Sequence, residues 1–246
     1  EILSYIRLAK ALGASYIRIL ADLHKEPEGE VDDALIIRQL RELAPEAEKA
    51  GVVLLVETNG VYANTARLRN LLEQVASDSV AALWDMHHPY RIMGEQPETT
   101  VQNLGAYIKY IHVKDSVQTP SGVEYRLMGE GDLPIDEMIF ALRSINYDGY
   151  ISLEWVKRWA PNLSDAGVVF PHFMNYMEKY LQKSISRRPL FDNNAKTGKY
   201  VWEKYSLIDL TFSQVLDQMV EEFPDQYAFR FTTLDYTRTY AQFRDD

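Results

Sequence analysis

The sequence predicts an α/β fold, the C-terminal part of a (β/α)8 barrel with a short second domain behind it, and three observations carry that prediction. Segments of strand and helix character alternate strictly over residues 1–183, with repeats of roughly 30 to 40 residues, the size a βαβ unit needs. The strand segments are near-continuous apolar runs, as expected when both faces of a parallel sheet are covered. Four of them end in a residue able to bind a metal or move a proton: Glu57, Asp85, His112 and Glu154. A barrel gathers the C-terminal ends of its strands around one pocket. The competing open, doubly wound sheet would place a glycine-rich turn after an early strand, and no G-x-G-x-x-G occurs here.

The elements follow in order. Ile2, Tyr5, Ile6, Leu8, Ala9 and Leu12 lie at helical spacing with Gly13 behind them, predicting a helix over 2–12. Residues 16–21 read as a buried strand. A second helix spans 32–50, with Leu35, Ile36, Leu40, Leu43 and Ala47 on one face and Gly51 as its stop. Strand 52–57 comes next, then helix 65–76 on Leu68, Leu71, Leu72 and Val75, then strand 80–85. A weaker pattern predicts a helix over 99–105, followed by strand 107–113. Helix 136–145, strand 149–155 and helix 171–181 complete the region. Five strands are visible against the eight of a full barrel. The first three, about 90 residues at ~30 per βα unit, are expected upstream of Glu1. Without them two sheet edges would be open, so the chain alone is expected to fold poorly or to be inactive.

Residues 184–205 are polar, contain Pro189, Asn193 and Asn194, and lack periodicity, which predicts a linker. Residues 206–246 read as the truncated start of a second domain. It opens with an amphipathic helix on Phe212, Val215, Leu216, Met219 and Val220 that stops near Pro224, and continues as a hairpin over 227–232 and 236–240.

Composition narrows the function. The 246 residues are 46% hydrophobic, enough for a sizeable core, and carry a net charge of -10. That balance argues against non-specific binding to nucleic acid or to an anionic membrane, since phosphate contacts need clustered Lys and Arg. With no cysteine, disulfides and thiolate metal sites are excluded, leaving oxygen and imidazole donors. The apolar runs are strand-sized rather than the ~20 residues of a membrane span, so the expectation is a cytoplasmic protein.

One Glu or Asp at a strand end reads equally as a helix cap or a loop salt bridge. Four donors at the ends of four parallel strands point instead to a shared divalent-cation site, with Glu57, Asp85, His112 and Glu154 as ligands. Lys114 shares the strand parity of His112 and points either into the pocket, as an oxyanion partner, or into solvent. Arg18 is a candidate substrate contact with a structural ion pair as its alternative. His87 is expected to face away from the pocket, His24 and His172 to be surface or helix-packing residues, and Trp84 and Trp155 to pack in the core or against a sugar face. Glu130 is a candidate for holding the Gly129-Glu-Gly-Asp132 loop.

Over residues 1–183 the sequence resembles the sugar phosphate isomerase/epimerase family, the xylose isomerase-like TIM barrels. The resemblance rests on Glu57 in Val-Glu-Thr-Asn, Asp85 and His88 in Trp-Asp-Met-His-His, and His112 in His-Val-Lys-Asp. The Gly129–Asp132 loop and Glu154 in Gly-Tyr-Ile-Ser-Leu-Glu complete it. It implies one divalent cation on Glu57, Asp85, His112 and Glu154, with Mn²⁺ favoured and Mg²⁺, Co²⁺ or Zn²⁺ as alternatives. It also implies substrate contact by His88, beside the candidates Lys114 and Arg18 that strand position alone suggests. The implied activity is a sugar, sugar phosphate or polyol isomerase or epimerase, with Glu57 and Glu154 as the proton-transfer pair and an enediolate intermediate. No organic cofactor is expected, the substrate is a small carbohydrate, and a homo-oligomer stays open. An inosose-type dehydratase would use the same site. A non-catalytic ligand-binding barrel fused to an acyl-adenylating enzyme is the reading from another class. An apurinic-site endonuclease shares the fold but would want more than five histidines and a basic face. The tail resembles the N-terminus of adenylate-forming (AMP-binding, acyl-CoA synthetase-like) enzymes, through Phe212-Ser-Gln-Val-Leu, Phe223-Pro-Asp-Gln-Tyr and Thr239-Tyr-Ala-Gln-Phe. The phosphate-binding loop of that family is not in this chain, so nucleotide binding is not expected of it.

Overall fold

A curled sheet of five parallel strands organises the first of two units. In the computed structural model, residues 1–24, 27–158, 160–184, 212–231 and 236–245 are described. The units are Glu1–Leu181 and Gln182–Asp246. The predicted linker lies, apart from Ser184, outside the described residues.

The first unit begins with α1 (Ile2–Leu12), β1 (Tyr16–Ile19) and α2 (Asp33–Ala50). The Asp32 carboxylate caps α2 by accepting from Leu35 N at 3.0 Å, and Gly51 ends it with φ 70°, a left-handed conformation that glycine enters without strain. Next come β2 (Val53–Glu57), a 3₁₀ turn over Gly60–Ala63, α3 (Thr65–Val75) and β3 (Val80–Asp85). Two short helices follow, α4 (His87–Met93) and α5 (Pro97–Leu104), then β4 (Ile108–Val113). An antiparallel hairpin of β5 (Asp115–Thr119) and β6 (Gly122–Arg126) precedes α6 (Ile135–Ser144), β7 (Tyr150–Leu153) and α7 (Ala166–Ser184). The sheet order is β1-β2-β3-β4-β7, with every neighbouring pair parallel.

The two faces of the sheet differ in content. Leu54, Val56, Val80, Ala82, Trp84, Ile111 and Val113 join the large core that packs against the helices. Leu55, Ala81 and Leu83 form a separate, smaller cluster on the concave face, with Tyr16, Val53 and Tyr110 against it. Leu54, Leu55 and Val56 are at most 1% exposed, and burial of each is worth about 1.5–3 kcal/mol. Residues alternate sides along a strand, so the concave row runs on through Arg18, Glu57, Asp85 and His112. β4 carries one irregularity: Ala82 pairs with Ile108 but Leu83 with Tyr110, leaving Lys109 as an extra residue in the ladder. Lys109 is exposed.

Several elements differ from expectation. β1 and β7 stop earlier than predicted, because Leu20, Ala21, Glu154 and Trp155 already belong to the loops that turn over the sheet. α7 starts five residues before Pro171, which sits inside the helix. α4 and the β5–β6 hairpin were not expected at all.

The second unit contains α8 (Phe212–Glu222), an antiparallel pair β8 (Tyr227–Phe231) and β9 (Tyr236–Thr239), and α9 (Tyr240–Asp245). Phe243 stacks edge-on against Phe212 and Phe229, with ring centroids 6.4 and 5.0 Å apart.

Candidate active site

The parallel register carries four donor side chains to one point. Glu57 closes β2, Asp85 closes β3 and pairs in register with His112 of β4, and Glu154 follows β7 with its backbone N–H on Val113 O at 2.9 Å. One ligand atom from each of Glu57, Asp85, His112 and Glu154 can be chosen so that all lie within 4.8 Å of one another. His112 Nδ1 is 2.9 Å from Glu57 Oε1 and 3.8 Å from Glu154 Oε1.

Two cations hold these carboxylates. Arg18 grips Glu57 Oε2 through Nε at 2.8 Å and Nη2 at 2.5 Å, and Nη2 lies 3.6 Å from Glu154 Oε1. Lys114, 1% exposed, donates to Asp85 Oδ2 and to Glu154 Oε2, the latter at 2.5 Å. Burial pushes the Glu57 carboxyl up, but the His112 hydrogen bond and Arg18 outweigh it and hold it below the usual carboxylate range. Burial also opposes ionisation of Asp85, yet His88, Lys114 and His87 beside it keep it well below that range. For Lys114 the cost of burial is overcome by Asp85 and Glu154, which raise its pKa and keep it charged. Three carboxylates thus face two fixed cations, and a donor set of three oxygens and one imidazole nitrogen suits a divalent ion. The residues fit a divalent cation.

A cavity of about 380 Å³, within the small-molecule range, opens beside this cluster and is lined by Arg18, Asn59, His88, Lys114, Tyr125 and Glu154 among others. Glu154 is the carboxylate that reaches it, with a side chain 25% exposed against 0% for Glu57. His88 is buried, and its Nδ1 donates to Thr58 O at 3.0 Å. Burial lowers its pKa despite Asp85. In the neutral ring that bond leaves Nε2 as an acceptor.

The other predicted residues fall as follows. His87 is 2% exposed, contacts Ser116 Oγ through Nε2 at 3.0 Å, and has its pKa lowered to about 3 by burial and by Lys114. His24 is exposed and pairs with Asp22 at 2.9 Å, whereas His172 Nε2 donates to Met128 O at 2.9 Å from α7. Trp84 packs in the core on the helix side, and Trp155 Nε1 donates to Ser164 O. Glu130 is exposed; the Gly129–Asp132 loop is held instead by Asp115, whose Oδ2 accepts from Gly129 N at 2.8 Å and Gly131 N at 2.9 Å. A Cβ on Gly131 would come within 1.9 Å of Asp115 Oδ1, so only glycine fits there. Tyr125 and Asn59 were not singled out from sequence. Tyr125 sits on the unforeseen hairpin, and Asn59 is fixed by donating to Asp22 O and His24 O.

Comparison with known proteins supplies the family of the fold. Among curated proteins, the chain is 29% identical to the D-psicose 3-epimerase of Enterocloster bolteae over 146 residues, 57% of this chain and 45% of that protein. It is 27% identical to the fructoselysine 3-epimerase of Escherichia coli O157:H7 over 126 residues, 49% of this chain and 45% of that protein. The chain therefore spans under half the length of these relatives. Among solved structures, the IOLI protein with a bound zinc atom superposes with a TM-score of 0.59 at 20% identity, covering 75% of this chain and 69% of that one. The family profile described as "Xylose isomerase-like TIM barrel" matches residues 1–171, well over half of the sequence. The chain belongs to the xylose isomerase-like TIM barrel family.

Proposed function

We propose that the protein of which this chain forms part is a divalent-metal-dependent sugar isomerase or epimerase that removes a proton next to a carbonyl and returns it, through an enediolate. The observation that carries this reading is the convergence of Glu57, Asp85, His112 and Glu154 beside a cavity that Glu154 itself lines. Two relatives named as sugar 3-epimerases support it. The IOLI structure, which holds a zinc atom, supports a divalent metal in this fold.

Held by those four residues, a divalent cation, Mn²⁺ first among the candidates and Mg²⁺, Co²⁺ or Zn²⁺ after it, would polarise the substrate carbonyl and acidify the neighbouring C–H. Glu154, the carboxylate open to the cavity, takes the proton. Glu57, kept ionised by His112 and Arg18, is the second proton-transfer group. Lys114, charged and fixed by two carboxylates, steadies negative charge developing on the substrate oxygen. His88 accepts a hydrogen bond from a substrate hydroxyl through Nε2. Arg18 holds the Glu57 carboxylate and offers its exposed edge to the substrate. The unit 206–246 is assigned, on its resemblance alone, to an adenylate-forming domain in the same polypeptide.

The test is solvent exchange. The whole protein loaded with Mn²⁺ is incubated with a panel of ketohexoses in D₂O, and deuterium at the carbon beside the carbonyl is followed by NMR. Wild type is expected to exchange at least one of them, and Glu154→Gln to slow that exchange about 100-fold or more. No exchange with any ketose would overturn the reaction class, and undiminished exchange in the variant would remove Glu154 from it.

A further inference from the structure

A second cavity, of about 470 Å³, adjoins the first across the His88 ring, which lines both. Its other walls include His87, Arg91 and Ile92 of α4 and Gln118 and Val123 of the β5–β6 hairpin. The polar groups here are organised for hydrogen bonding. Arg91 Nε donates to Ser116 Oγ at 3.0 Å, and Nη2 donates to Ser116 O at 2.7 Å and to Asp132. The Ser116 hydroxyl, taken on one side by Arg91, can place its own hydrogen on His87 Nε2, 3.0 Å away. Ser116 thus ties Arg91 and the His87 ring of α4 to the hairpin at this wall. Gln118 of the hairpin adds an amide side chain to the same wall.

The charge on this wall is already met. Arg91 is paired with Asp132, so the cavity offers hydrogen bonds without an uncompensated positive charge. Ile92, Val123 and Pro27 supply apolar surface between the polar groups. Neutral donors alternating with apolar patches suit a polyhydroxylated group, whose C–H and O–H faces alternate in the same way, better than a phosphate.

We propose that this second cavity binds the remote, neutral hydroxylated part of a substrate whose carbonyl end lies at the Glu57–Glu154 site, so that the preferred substrate is an extended or glycosylated ketose rather than a free monosaccharide. The substrate half of this inference rests on the isomerase or epimerase reading above; the cavity half does not.

Two measurements on the whole protein separate them. The first compares solvent exchange into fructose, fructose 6-phosphate and isomaltulose, a fructose carrying glucose at O6. The expected result is a kcat/KM for isomaltulose at least tenfold above the other two, and a fall of that ratio by at least tenfold in Ile92→Trp and in Val123→Trp, which narrow the cavity from different elements. The second follows binding of trehalose, a disaccharide without a carbonyl, by saturation-transfer NMR. Its signal is expected in wild type and lost in both variants. Exchange that does not favour isomaltulose, a preference for the phosphate, or trehalose binding unchanged in the variants would each overturn the proposal. Trehalose binding that the variants abolish, together with no exchange of any ketose, would uphold the cavity and overturn the reaction class alone.

Discussion

Lys114→Met tests the electrostatic account of the site without relying on catalysis. Lys114 Nζ joins Asp85 to Glu154, and the side chains involved are 2% exposed for Lys114, 0% for Asp85 and 25% for Glu154. Methionine keeps most of the stem volume, so the substitution removes charge rather than packing. Taking one partner from a buried pair costs about 3–5 kcal/mol. Water reaches Glu154, which places the loss at the lower end, about 3 kcal/mol. At ~2–4 °C per kcal/mol for a unit of this size, the midpoint of a thermal melt in EDTA should fall by about 6–12 °C. The second half of the test is Mn²⁺. With Lys114 gone, Asp85 and Glu154 are freer to take a divalent ion, so saturating Mn²⁺ should raise the midpoint of the variant by more than it raises wild type. A loss below about 1 kcal/mol, typical of an exposed pair, would refute the burial argument. An equal rise in both proteins would refute the claim that the ion and the ammonium share the same carboxylates.

The remaining predictions concern the scaffold. Asp115→Ala removes acceptors from Ser116 N, Gly129 N and Gly131 N, and bonds to a charged acceptor are worth ~1.5–3 kcal/mol each; urea melts should show a loss of about 3 kcal/mol or more. Asp33 ties α2 to α3 through Arg67 and the Tyr62 hydroxyl, with Nε, Nη2 and Oη all within 3.2 Å. Burial opposes its ionisation, but those partners win and hold its pKa below 3.8. A lowered folded pKa means the stabilisation is full above the unfolded value and fades as pH falls through the folded one. Asp33→Asn should therefore cost about 1 kcal/mol at neutral pH, a difference that shrinks in melts run progressively below pH 3.8.

The parts of the fold that depend on local pattern were legible in the sequence. Val53 to Val56 and Ala81 to Trp84 are apolar because both faces of each strand are covered, and that leaves a run no helix period explains. The polar residue ending each run was equally visible, since it breaks the pattern where the pocket begins. The hairpin was hidden: Ser116, Gln118, Ser121 and Glu124 neither alternate cleanly nor form an apolar run. α4 was hidden because His87, His88 and Pro89 are all buried, which erases the polar face that a helical period needs. The anchoring of the Gly129–Asp132 loop by Asp115, rather than by Glu130 within it, depends on a contact 14 to 16 residues apart that spacing does not encode. Asn59 stood inside a motif already noticed, yet its place on the cavity wall comes from the loop after β1, through its bonds to Asp22 O and His24 O.

Lys109, the extra residue in β4, has a consequence for how the site is written into the chain. Were the ladder to run on without the bulge, Leu83 would face Lys109 and Asp85 would face Ile111, whereas the observed partners are Tyr110 and His112. Shifting a strand by one residue exchanges its two faces, and a bulge is the local device that does so. An unbroken β4 would turn His112 and Lys114 toward the helices and present Ile111 and Val113 to the cavity. The chemistry of this strand is thus stored as a phase as well as a set of letters. Every residue could be kept and the site still lost if the strand paired without the bulge at one exposed lysine that touches none of it.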